Sequence, residues 1–141
     1  THATSDKNMA QKRLGEIRIQ GAYAWRKLIE SGVRIANGSD FPVESPNPFW
    51  GLHAAVTRQD RSGEPTDGWF PEERMTVAEA FASFTLDAAF AGHQEDIIGS
   101  LEPGKKADFI FIDRDIFNIP ESELWEAKVS ETWINGVQLT D

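Results

Sequence analysis

The sequence predicts an α/β chain whose last stretch, roughly forty residues, turns wholly to β structure. Three observations predict it. An apolar-striped helix, a glycine stop and a short apolar run follow one another between Ala22 and Ala36, the succession of an α/β unit. The run Ala107 to Asp113 (ADFIFID) has the length and composition of a buried strand. Asn135-Gly136 then joins two further apolar segments, the strongest short hairpin signal.

Taken in order, Ser5 and Asp6 supply a helix cap and Gly15 a stop after Leu14. A helix is expected from Ala22 to Ser31, because Ala22, Trp25, Leu28 and Ile29 share one stripe, and Gly32 ends it. Val33 to Ala36 reads as a strand running into Asn37-Gly38-Ser39-Asp40, which places Asp40 at the strand's C-terminal edge. The run Phe41 to Trp50 holds Pro42, Pro46 and Pro48 and is expected as an ordered loop, followed by a helix from Gly51 to Arg58. Gln59 to Met75 forms a second polar loop carrying Trp69 and Phe70, a candidate lid or pocket wall. Thr76 with Glu79 is a capping box for a helix that buries Val77, Ala80, Phe81 and Phe84, and Thr85 caps another over Leu86 to Ala91. Strands are expected at Ala107 to Asp113, Lys128 to Ile134 and Val137 to Thr140. Residues 1–95 and 96–141 divide the chain into an α/β part and a β part.

Composition removes several classes of function. The net charge of −9, from 23 acidic and 14 basic residues, repels phosphate backbones, and no basic run offsets it. Nucleic acid and anionic membranes are therefore not expected partners. With no cysteine, disulfides, thiolate ligands and a cysteine nucleophile are excluded together. No apolar stretch approaches the roughly 20 residues that span a bilayer. The chain opens on Thr1 without a charged-then-apolar leader, so its natural N-terminus is expected upstream and its location is expected to be cytoplasmic.

Asp40 leads the residues that could carry chemistry. A carboxylate beside small Gly38 and Ser39 can approach a metal closely, or take a proton from a water and return it to a leaving amine. The same residue type also caps turns through its backbone. His2, His53 and His93 form no H-x-H or H-E-x-x-H pair, so spacing assembles no complete metal site; each also suits an ordinary surface or packed histidine. Glu44 lies in a loop that could line a pocket or simply be solvated. Arg58 and Asp60 are candidate charged-substrate contacts, with surface pairing the expected role. No G-x-S-x-G elbow, P-loop or G-x-G-x-x-G is present.

The segment G-S-D-F-P-V-E, Gly38 to Glu44, resembles the last-barrel-strand motif of amidohydrolase family 3, which includes N-substituted formamide deformylases. The resemblance extends over T-H-A-T-S-D (Thr1 to Asp6), R-L-G (Arg13 to Gly15), G-A-Y-A-W-R (Gly21 to Arg26), Ser45 to Asp60 and I-G-S-L-E-P-G-K-K-A-D-F (Ile98 to Phe109). It implies the C-terminal portion of a (β/α)8 TIM-type barrel, the last strand or two with their helices, plus part of a small β domain.

The resemblance further implies a hydrolase of carbon–nitrogen bonds in small amide-type substrates, dependent on a divalent metal, with zinc expected. Asp40 maps onto the aspartate that ligates metal and serves as general base and then acid. His2 maps to the end of the seventh strand, a substrate-facing position and not a principal metal ligand, and Glu44, Trp50 and Trp69 are expected to shape the pocket with it. The family's H-x-H pair and remaining metal histidines have no counterpart here, so this chain alone is expected to be inactive. The alternative expectation is a non-catalytic module that self-associates or docks on a partner, such as the upstream part of the same protein, through uncovered strand edges and apolar surface.

Overall fold

The architecture is built around a helix that is buried on nearly every side. In the computed structural model, which describes residues 1–140, helix α4 (Pro48–Thr57) buries Phe49 and every residue from Gly51 to Thr57. Such a helix has no polar face and belongs in the interior. It starts where Asn47 accepts a hydrogen bond from Phe49 N at 3.0 Å, with Pro48 at the first helical position, and it ends at Arg58 in the left-handed conformation. The predicted helix is therefore present but begins three residues earlier than Gly51, because the proline that reads as a loop signal also suits a first turn.

Around α4 run α1 (His2–Ser5), α2 (Lys7–Arg18), α3 (Trp25–Glu30), α5 (Val77–Phe84) and α6 (Leu86–Ala91), then strands β1 (Phe109–Ile112), β2 (Val129–Ile134) and β3 (Val137–Gln138). Phe49, Leu52, Ala55 and Val56 of α4 pack with Met75, Ala80, Ile116, Leu124 and Ala127 in the larger core. Leu124 and Ala127 arrive through a 3₁₀ turn at Glu121–Glu126 laid along α4. Gly51 permits the close approach of α5 instead: a Cβ there would lie 2.5 Å from Phe84 Cζ. A second cluster joins Ala3, Ala10, Ile19 and Trp69.

Arg58 links the two cores. It is fully buried, its Nε donates to Trp69 O at 2.9 Å and its Nη1 to Tyr23 O at 3.1 Å. The guanidinium carbon lies 4.6 Å from the Trp25 ring centre and 5.3 Å from that of Trp69. Burial pushes its pKa down to about 10, with Glu73 and Glu72 opposing, so the group stays charged at neutral pH. The expectation of a surface pair with Asp60 is corrected: Asp60 binds Lys7 Nζ at 2.8 Å, and the aromatic faces take the arginine.

The sheet has the order β1-β2-β3, all antiparallel. Asn135 and Gly136 both take positive φ, 51° and 76°, as a two-residue hairpin requires. Phe109 faces Trp133 across the ladder with rings stacked 5.5 Å apart. The chain is thus α/β with a small three-stranded sheet. β1 is not the buried strand expected, since Ile110 and Phe111 are 42% and 51% exposed. An all-apolar run reports the need for cover, and consecutive Ile110 and Phe111, on opposite faces of the sheet, are both left partly without it among the described residues.

Two further expectations are corrected. Val33 to Ala36 joins no ladder; its neighbourhood is held by single bonds such as Asn37 N to Ser83 O at 2.9 Å. A strand exists only with a partner, and none of the described segments lies alongside. Asp6 does precede α2, yet its carboxylate accepts from Tyr23 Oη at 3.2 Å instead of capping the helix, and Thr85 likewise makes no side-chain cap. The stops are where they were expected: Gly15 (φ 73°) breaks the helical path after Leu14, and Gly32 (φ 85°) follows α3. No helix among the described residues is long and apolar enough to cross a membrane.

The capping box at Thr76 and Glu79 is formed, and Glu79 also takes both ends of the Arg26 guanidinium at 2.8 and 2.6 Å. The Arg26 bond holds the Glu79 carboxyl down to about 2 from its ordinary 4.5, against the opposing pull of burial. Thr76→Ala should cost about 1 kcal/mol in urea unfolding at pH 7. Because Glu79's folded pKa is depressed, the pair's stabilisation is full above about pH 4.5 and is lost as pH falls through about 2. In Glu79→Gln that portion of the acid dependence should disappear, and an unchanged acid limb would contradict the assignment.

Candidate active site

Asp40 sits in a turn and takes φ 55°, a left-handed conformation that aspartate tolerates better than most residues. Its carbonyl accepts from Val43 N at 2.8 Å, and Ser39 Oγ accepts from Phe41 N at 3.2 Å, so the turn is braced on both sides of the carboxylate. The side chain itself is 67% exposed and projects free of that bracing.

Helix α1 brings His2 to it. His2 Nε2 lies 3.4 Å from Asp40 Oδ2, an ion pair whenever the imidazole is protonated. One turn on, Ser5 Oγ donates to Glu44 Oε1 at 2.5 Å. Residues distant in sequence are thereby stitched together: the α1 helix meets the Asp40–Glu44 turn through two side-chain contacts. The Ser5 bond holds the Glu44 carboxyl below the ordinary carboxylate range; burial opposes it and the His2 charge assists. α1 can hold this position because Ala3 is fully buried in the second core while Thr4 Oγ1 closes on Thr1 O at 2.8 Å.

Beside this edge opens a cavity of about 370 Å³, walled by Glu44, Ser5, Lys7, Trp50, His53 and Arg61 among others. Trp50 stands at its side with the Arg61 guanidinium 3.6 Å above its ring. Glu44 and Trp50 line this cavity, while His2 and Asp40 meet each other outside its lining. Trp69 lies elsewhere: 7% exposed, it packs edge-on against Tyr23 and Phe70 in the second core. Its loop is pinned there by Arg58 and by Trp69 N donating to Arg58 O at 2.9 Å, which makes it a core anchor and not a wall of this cavity. His93, exposed beyond α6, is remote from the cluster's lining.

Two donors next to each other are not a metal centre. Among the described residues no group of three or more His, Cys, Asp or Glu side chains could hold a metal ion. The sequence points to His2 and Glu44 but not to the contact of Glu44 with Ser5, and it gives His53 only the look of an ordinary histidine. A histidine within the otherwise apolar run Phe49 to Val56 is the available signal.

Ser5→Ala should raise the Glu44 pKa toward its ordinary value, read by carbon-13 NMR titration of the carboxyl. An unchanged titration would show that Ser5 does not hold that carboxylate.

Comparison with known proteins gives the family. The sequence profile of the amidohydrolase family matches residues 1–140. The N-substituted formamide deformylase of Arthrobacter pascens is 33% identical over 112 residues, 79% of this chain and 20% of its own length. The protein LONG AFTER FAR-RED 3 of Arabidopsis thaliana is 31% identical over 139 residues, 98% of this chain and 23% of its own. The chain therefore spans about a fifth to a quarter of these relatives. A crystal structure of an amidohydrolase from Thermotoga maritima MSB8 matches 99% of the chain and 36% of its own with a TM-score of 0.60 at 22% identity, a likeness of fold. With its whole described length matched by the family profile, the chain belongs to the amidohydrolase family.

Proposed function

We propose that this chain is the C-terminal part of a hydrolase that cleaves a carbon–nitrogen bond, amide, formamide or N-acyl, and that Asp40 is its proton-carrying carboxylate. The observation that carries the reading is the exposed Asp40 side chain, braced in a turn whose Glu44 lines a cavity, 3.4 Å from His2. The deformylase relative supports the bond type. In this reading residues 1–95 are the last part of a barrel and residues 96–141 the closing strands of a small β domain. The unpaired segment at Val33 to Ala36 supports it, since a barrel's final strand pairs with strands that precede it.

The family implies a divalent metal, zinc in our reading. Asp40 fits as one ligand. Its side chain is 67% exposed, and a carboxylate oxygen is an ordinary ligand for zinc. The described residues do not by themselves make a metal site, so the remaining ligands belong to other parts of the complete protein. When bound, the metal supplies a water acidic enough to attack at neutral pH.

The work of this chain's residues then follows from their positions. Asp40 takes the proton of the attacking water as the new carbon–oxygen bond forms, and passes it to the departing amine nitrogen as the carbon–nitrogen bond breaks. His2 holds the Asp40 carboxylate in place, and Glu44, fixed by Ser5, keeps the turn against α1. Trp50 shapes the apolar side of the adjoining cavity and helps exclude water.

Asp40→Asn in the complete protein should lower turnover of N-formyl amines by about 10²- to 10⁴-fold while the fold, followed by circular dichroism, is unchanged. Near-normal turnover would remove Asp40 from the chemistry.

A further inference from the structure

One wall of the cavity that Glu44 lines is unused by that chemistry. His53 on α4 is only 3% exposed, yet its ring lines the cavity. The hydrogen bond His53 makes is through its carbonyl, which accepts from Thr57 Oγ1 at 2.8 Å. Neither ring nitrogen finds a partner among the described residues, and neither is sealed away from the cavity. An imidazole edge open to the cavity and bonded to no protein group can exchange water for a ligand's donor and acceptor.

The chemistry of that group is set by the surroundings. Burial pushes the His53 imidazole below its ordinary value, Asp60 opposing and Arg61 assisting, so at neutral pH the ring carries one donor and one acceptor. The charges around it are balanced and mostly engaged. Lys7 is bound to Asp60 at 2.8 Å, Glu44 is tied to Ser5, and Arg61 lies over Trp50. A free anion would meet two carboxylates here, and a free cation would meet Lys7 and Arg61. A neutral group with both a donor and an acceptor meets no such penalty, and a primary carboxamide matches the ring's own pair. The volume of about 370 Å³ accommodates a small-molecule fragment.

We infer that this cavity is a subsite for the non-reacting end of the substrate, taking a neutral carboxamide-type group, with His53 as its specificity-determining residue. The assignment to substrate rests on the reading of Asp40 as the reacting carboxylate; the ligand chemistry of the cavity does not.

The test is ligand-detected NMR on the complete protein with propionamide, propionate and propylammonium, for wild type, His53→Leu and His53→Gln. Propionamide should bind wild type, at least about tenfold more weakly to His53→Leu, and within a few-fold of wild type to His53→Gln, which restores a donor and an acceptor. His53-dependent binding of propionate or propylammonium would overturn the inference. So would equal binding of propionamide to wild type and His53→Leu, or no binding of it to wild type. His53-dependent propionamide binding without hydrolysis of N-formyl amines would leave the cavity's chemistry standing and remove the hydrolase reading.

Discussion

Everything else in this structure is arranged around the burial of one guanidinium. Arg58 ends α4 in a left-handed turn, then reaches back to hold Trp69 O and Tyr23 O while two indole faces cover it. Each cation–π contact in a desolvated setting contributes on the order of 2 kcal/mol, and the two carbonyl bonds satisfy part of the guanidinium's donor set. Among the described residues one donor, Nη2, is still unpartnered. The arginine thus fastens the 59–75 loop, the start of α3 and the end of α4 at a single point. That point also lets the second core form, and the second core is what seats α1 through Ala3.

The position of α1 decides the site. Asp40 has no buried partner of its own; it is held by its turn and met by His2 from α1. Ser5 and Glu44 repeat the join one turn further along. The carboxylate is consequently placed but not enclosed, which suits a group that must meet a reactant. Openness extends to the sheet, where Ile110, Phe111 and Val137 are uncovered, and to Phe41 and Val43 next to Asp40. Apolar surface of this kind, next to an unpaired segment at Val33 to Ala36, is what a chain spanning a fifth to a quarter of its relatives presents.

How legible this was depends on how local each determinant is. The capping box at Thr76, the Asn135-Gly136 hairpin and the Gly32 stop depend on a few neighbouring residues, and the structure has them. The segment before Asp40 has strand composition, but a ladder needs a partner that local pattern cannot supply. Arg58 reads as a surface residue because charge predicts exposure on average; only the tertiary pairing with Trp25 and Trp69 overturns that average. Trp69, expected at a pocket wall from its place in a long polar loop, is drawn inward by the same contact. In the proposed site, Asp40 is expected at a strand's edge and Glu44 in a loop, and only the family resemblance points to His2. Their meeting across nearly forty positions, and the unpartnered His53 ring, required the fold.

We propose that Asp40 is one donor of a metal site that this chain does not complete by itself. The most direct measurement is zinc per chain, by elemental analysis after dialysis against metal-free buffer, for the 141-residue chain and for the complete protein side by side. The account predicts essentially none on the chain and at least one equivalent on the complete protein. Near one equivalent on the chain alone, or none on the complete protein, would contradict it.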